Sequence, residues 1–114
     1  MQNRGIVYKG RHGHDVWRGA RRLPLAPSLR LRNHSPTGFS WGYGGSGPAQ
    51  LALALLYDVT GDPEPAKGYY QAFKWAVVAQ WPMDGTWEIT ANHIRVWLDG
   101  ERDKRLAADR VGVA

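Results

Sequence analysis

The run Gly42-Tyr43-Gly44-Gly45-Ser46-Gly47-Pro48 is the part of this sequence best suited to chemistry. Glycines at 42, 44 and 47 reproduce the G-x-G-x-x-G spacing that lets a backbone approach a pyrophosphate. An apolar helical segment follows, so its first amides would face whatever the loop holds. The dinucleotide fingerprint also needs a second parallel strand with an acidic residue about 20 positions on. Here that position falls at Asp62 and Glu64, between two predicted helices, which disfavours a dinucleotide site. No Lys-Ser/Thr pair follows the glycines, so a P-loop is out. Two readings of the loop remain: tight turning and close helix packing with Ser46 or Gly47 as the helix cap, or a backbone cradle for a phosphate or carboxylate. In the second, Gly42, Gly44, Gly45 and Gly47 supply N–H groups and Ser46 a hydroxyl. Arg30 and Arg32 supply countercharge, while Trp41 and Tyr43 stack on an attached base.

Other chemistry-bearing residues make weaker patterns. His12 and His14 flank Gly13 beside Asp15, but no third metal ligand stands nearby, so a solvated hairpin turn is the expectation. His34 and His93 have no partner visible in the sequence. A nucleophilic triad of Ser46, His34 and Asp15 has nothing in its spacing to support it, because triads are defined by geometry. No acid–base or nucleophile constellation emerges, so an enzyme is the least favoured class, and no cofactor or metal is expected. Arg18, Arg21 and Arg22, with Trp17, Arg30 and Arg32, form the basic-and-aromatic mixture that nucleic acid selects, without a recognisable nucleic-acid-binding motif.

The elements that must position these residues follow from pattern. Gly5–Gly10 and Asp15–Arg18 read as the two strands of an N-terminal hairpin. Pro24 and Pro27 make Arg21–Ser28 an extended loop. Ser28-Leu29-Arg30-Leu31-Arg32 alternates with period two and predicts a half-buried strand with both arginines on its open face. Phe39-Ser40-Trp41 reads as another short strand. From Ala49 to Thr60 the chain is apolar nearly all round, which predicts a buried central helix opened by Pro48 and closed at Gly61. A second helix is predicted from Pro65 to Trp81, its stripe made by Tyr70, Phe73, Val77 and Trp81 with Lys67, Gln71 and Lys74 off it. Core packing on helices accounts for Trp75, Trp81 and Trp97. Thr86–Ile89 reads as a strand, and Thr90 caps a third helix with Ile94, Trp97 and Leu98 on its inner face. Strands come first and helices later, without βα alternation. The predicted fold is therefore α+β: a small, mostly antiparallel sheet packed on about three helices, forming one domain over residues 1–100. The charged segment 101–114 is expected to fray.

Composition sets the outer limits. The 114 residues suffice for one domain, and an apolar fraction of 43% argues against disorder. Cysteine is absent, which removes disulfides and thiolate metal sites and suits a reducing cytoplasm. Met1-Gln2-Asn3-Arg4-Gly5 does not open a signal peptide, and the apolar run Leu51–Tyr57 is too short to span a membrane. A soluble, cytoplasmic protein with no membrane partner is the expectation. The net charge of +5 is lopsided: residues 1–40 carry eight Lys/Arg against Asp15 alone, the remainder seven against nine acids. That asymmetry points to an anionic partner for the N-terminal third.

The run Asn33-His34-Ser35-Pro36-Thr37-Gly38-Phe39-Ser40-Trp41 through Gly47-Pro48-Ala49-Gln50-Leu51-Ala52-Leu53 resembles a small domain family of unknown function found in bacteria, plasmids and phages. Phe73-Lys74-Trp75 and Ile94-x-x-Trp97-Leu98 are also similar to it, and the likeness covers most of residues 4–99. The resemblance implies no activity, cofactor or catalytic residue. Occurrence on mobile elements implies one alternative, an anti-defence protein that inhibits a partner such as a CRISPR-type nuclease complex or sequesters a signalling nucleotide. The leading expectation is a non-enzymatic protein that binds a phosphate-bearing anion, a nucleotide or nucleic acid, through the glycine loop.

Overall fold

In the computed structural model, residues 5–12 and 14–113 are described, the last four of these by backbone alone. Met1–Arg4, Gly13 and Ala114 lie outside the description, and with them the expectations for the N-terminus and for the hairpin apex at Gly13. The hairpin forms from β1 (Val7–Arg11) and β2 (Asp15–Arg18) and adds β3 (Arg21–Arg22). The late strand β4 (Trp87–Thr90) returns to the far side of β1, giving the order β3-β2-β1-β4 with every pair antiparallel. Burial alternates along β1 and β4, so one face of the sheet meets the helices and the other is open. Tyr8, Gly10, Val16, Trp87 and Ile89 are on the inner face. Gly10 is required there: a Cβ would sit 2.0 Å from the Trp87 indole nitrogen.

The helices are α1 (Ala26–Leu31), α2 (Ser46–Thr60), α3 (Pro63–Ala76) and α4 (Ala91–Val113), with a short 3-10 turn at Val78–Gln80. As predicted, α2 is the buried centre: Gly47 through Leu56 are all buried. It ends at Gly61, whose left-handed conformation (φ 67°) lets its N–H close on the Tyr57 carbonyl at 2.7 Å. Asp62 caps α3 by accepting from Glu64 N at 3.0 Å, and Thr90 caps α4 by accepting from His93 N at 3.0 Å. Ile94 and Leu98 face the core.

Five expectations are corrected. Segment 26–31 is helix, where alternation over 28–32 predicted a strand. Pro27 stands in the first turn, where its missing N–H costs nothing, and the buried Ser28 hydroxyl donates to the Leu25 carbonyl at 2.9 Å. Phe39–Trp41 is irregular and joins no strand of the sheet; the next residue, Gly42, donates its N–H to the Val78 carbonyl at 3.1 Å. The cap of α2 is Gly45 in place of Ser46 or Gly47, so Ser46, Gly47 and Pro48 form its first turn. The second predicted helix starts two residues early and breaks at Val77 (φ −126°), which moves Trp81 out of the helix and onto Trp87. Those two rings stack at 4.0 Å. Finally, α4 runs through Gly100 instead of fraying there. Its extension is tied back by Arg105, which donates to the Gly68 carbonyl at 2.9 Å and lies over Tyr69. Among the described residues no helix is long and apolar enough to cross a membrane.

Candidate anion-binding cleft

Two buried side chains anchor the stretch from Arg32 to Gly44, one at each end. Gln50, fully buried on α2, accepts from the backbone N–H groups of His34 (2.8 Å) and Ser35 (3.1 Å) and donates to Ser28 Oγ (2.9 Å) and the Arg32 carbonyl (3.0 Å). All four hydrogen-bonding positions of the amide are thereby used, which is what burial requires. His34 Nε2 pairs with the Tyr70 hydroxyl at 2.7 Å, fastening the same corner to α3. At the other end the buried Lys74, predicted to lie off the apolar stripe, donates to the Gly44 carbonyl at 3.2 Å and lies 4.4 Å from the Trp75 ring centroid.

Between these anchors the glycines are in close contact. Gly42 has φ 88°, and a Cβ there would lie 2.5 Å from the Met83 Cα; a Cβ on Gly47 would meet Ser40 Oγ at 1.8 Å. Gly44 and Gly45 lie similarly against the Trp75 and Tyr43 rings. Steric need thus accounts for the glycine spacing on its own. Trp41, expected to stack on a ligand, is 1% exposed. It packs edge-on against His14 and Trp87, and its indole N–H donates to the Gly85 carbonyl at 3.3 Å.

The loop nonetheless borders a cleft of about 670 Å³. One wall is the N-terminal turn of α2, at Ser46 and Gly47; the other is His14, Asp15 and Arg22 from the hairpin and β3. Ser35, Thr37, Ser40 and Tyr43 also line the cleft; the Ser35 hydroxyl donates to the Gly38 carbonyl at 2.7 Å, and Ser40 Oγ and the Tyr43 hydroxyl are 2.8 Å apart. The first amides of a helix lack intrahelical acceptors and carry the positive end of its dipole. Because position 48 is proline, Ser46 and Gly47 supply those amides here. Arg22 forms an exposed pair with Asp15 at 3.3 Å.

The expected site residues therefore separate. Tyr43, Ser46 and Gly47 line the cleft; Trp41, Gly42, Gly44 and Gly45 stand behind it as framework. Arg30 and Arg32, placed on or just after α1, do not line it. Arg22, assigned from sequence to a nucleic-acid surface, is the arginine that does. Arg21 is exposed at the sheet edge. Arg18 turns to the inner face, where its Nε donates to Asp58 Oδ2 at 2.6 Å beside the Tyr8 hydroxyl, which donates to the same oxygen. Burial, and then the bond to Asp58, push the Tyr8 pKa well above the tyrosine range, and the Asp58 bond raises that of Arg18. Sequence reasoning missed His14, Ser35, Thr37, Phe39 and Ser40 as lining. The one available signal was their place in the turn-rich segments flanking the loop. His12 and His14 do share a hollow of about 220 Å³ with Asp84, but among the described residues no group of three His, Asp or Glu is arranged to hold a metal ion.

This architecture defines a small α+β protein with a one-sided antiparallel sheet, a buried central helix and a polar cleft at that helix's N-terminus. The chain belongs to a family of unknown function, DUF6166, whose model matches residues 8–100. No curated protein and no solved structure matches it.

Proposed function

We propose that this protein is a non-enzymatic binder of a phosphate-bearing anion, held in the cleft between the first turn of α2 and Arg22. The observation that carries the reading is that Arg22 and the first-turn residues Ser46 and Gly47 of α2 line one cleft together with Ser35, Thr37, Ser40 and Tyr43. Backbone donors and a planar guanidinium suit phosphate oxygens, and the hydroxyl-bearing residues that line the cleft add to its polarity. Arg22 is paired with Asp15, which also lines the cleft. Such an exposed pair is worth only about 0–1 kcal/mol, so exchanging the carboxylate for a phosphate costs little.

The test is a thermal-shift screen against nucleoside phosphates, cyclic dinucleotides and short DNA at two salt concentrations. A ligand at 100 times its Kd adds about 2.7 kcal/mol, a shift of roughly 10 °C or more for a domain this size. Gly45→Asp is the discriminating variant. Its carboxylate, at the cap position, satisfies the amides the anion would use, and its Cβ, 2.4 Å from the exposed Tyr43 ring, turns that ring aside; the ligand shift disappears, and the Tm of the unliganded variant checks that it is folded. An undiminished shift in Gly45→Asp removes the helix start from the mechanism.

A second reading has its own observation. Tyr43, Trp75 and Met83 are 44%, 57% and 50% exposed, and all three abut the glycine loop. Exposed apolar groups gathered in this way mark protein contacts. Carriage on a mobile element would then suit an anti-defence inhibitor acting on a protein partner. Absence of any ligand shift, together with salt-tolerant capture of a defence complex that Trp75→Ala abolishes, favours this reading over the first.

A further inference from the structure

The open face of the sheet carries a cationic, aromatic row that joins the cleft. By register Lys9 stands opposite Trp17 on one side and Glu88 on the other, and Trp17 stands opposite Arg22. Directly paired residues share a face, so these four side chains form one row across all four strands, with Arg11 and Asp15 in the next. The Arg11 and Arg22 guanidinium carbons lie 5.2 and 5.4 Å from the Trp17 ring centroid. Lys9, Arg11, Arg22 and Glu88 are exposed, while Trp17 is half-buried beneath the arginines.

A tryptophan on the open face of the sheet, covered only by exposed guanidiniums that a base can displace from its ring, is the composition of a stacking platform for bases. The opposing carboxylates do not cancel it. Lys9–Glu88 (3.6 Å) and Arg22–Asp15 (3.3 Å) are solvent-exposed pairs, which contribute little and yield readily to phosphate. Arg22 belongs to both surfaces, since it lines the cleft and lies beside Trp17. From β3 to β1 the row spans about 10 Å, so a strand leaving the cleft meets Arg22, Trp17 and Lys9 in turn, with Arg11 alongside.

We propose that the ligand is a single-stranded nucleic acid, one nucleotide of which occupies the cleft while the next stacks on Trp17 with its phosphates against Lys9 and Arg11. This inference rests on the cleft reading above and specifies its ligand. Neither surface alone points to a polymer; their junction at Arg22 does.

The experiment measures binding of the full chain to 5′-phosphorylated thymidine and uridine decamers, the duplex form of a decamer, and thymidine monophosphate. The parent is compared with Trp17→Ala, Arg11→Gln and, as a control on neither surface, Arg30→Gln. Decamers are expected to bind at least tenfold more tightly than the monophosphate. Trp17→Ala should lose about tenfold on the decamers, the lower part of the range for one base–aromatic stack, and Arg11→Gln severalfold, with monophosphate affinity unchanged in both. Arg11 is exposed, so that variant keeps the test valid if Trp17→Ala does not fold. Equal affinity for decamer and monophosphate, or decamer binding indifferent to Arg11→Gln, overturns the inference and leaves the cleft reading standing. Duplex bound as tightly as single strand overturns it as well. Failure of both decamer and monophosphate to bind overturns the cleft reading and the inference together.

Discussion

At the scale of single residues, buried polar groups hold the frame. Replacing Gln50 with leucine keeps the volume near constant but strands the His34 and Ser35 amides and the Arg32 carbonyl. A buried unsatisfied group costs about 1–3 kcal/mol, so Gln50→Leu should lower stability by about 3 kcal/mol or more, read as a Tm fall of over 10 °C. The Tyr8 hydroxyl offers a pH signature. Its pKa is raised in the folded protein above the ordinary value of 10.0. The unfolded chain therefore releases that proton first as pH rises, and the stability gained from the neutral hydroxyl is intact below pH 10 and lost progressively above it. Denaturant titrations of Tyr8→Phe should show a shallower decline above pH 10 than the parent. None of these bonds could be read from sequence. Gln50 carried no expectation and Lys74 only a place off the apolar stripe, because the groups that satisfy them, the Ser28 hydroxyl and backbone atoms of Arg32, His34, Ser35 and Gly44, belong to distant segments.

At the scale of elements, strong periodicity was legible and short segments were not. The all-apolar pattern of α2, the hairpin, and the capped start of α4 were all readable, since each depends on local chemistry over several turns or pairs. Segment 26–32 misled because Leu29 and Leu31 fit a strand as well as a short helix, and Pro27 at a helix start decides between them. Segment 101–113 misled because glycine at 100 reads as a stop, although a helix accepts an exposed glycine for about 1 kcal/mol. The Arg105 contacts on Gly68 and Tyr69 help to hold that extension. Two measurements follow at this scale. Arg105→Ala should increase amide exchange over 101–113 while changing global Tm by only a few degrees. Gly10→Ala, by contrast, should destabilise the whole sheet by about 1–3 kcal/mol, because the added Cβ enters the Trp87 indole, which is itself packed against Trp41 and Trp81.

At the scale of the whole molecule, the charge asymmetry read from sequence takes on a shape. The basic first third becomes the hairpin and β3, which supply the open sheet face and one wall of the cleft. It also becomes α1, whose arginines do not line the cleft. Charge counting found the right third of the chain but not the right arginines, since only the fold selects Arg22 over Arg30 and Arg32. If Lys9, Arg11 and Arg22 each displace one counterion from a single strand, log affinity should fall with log salt at a slope of about −2, from about −0.7 per phosphate. Arg22→Gln should bring that slope toward about −1.4. The amide of Gln50 has a further consequence. It clasps the turn at His34 and Ser35 to the central helix, so the two halves of the Asn-His-Ser-Pro and Gly-Pro-Ala-Gln run belong to one latch. Ser35, Thr37, Ser40 and Tyr43 of the cleft lie inside the same run, whereas Asp15 and Arg22 of the facing wall lie outside it. The latch and one wall of the cleft are therefore a single stretch of sequence, and the charge that faces them is set by a different part of the chain.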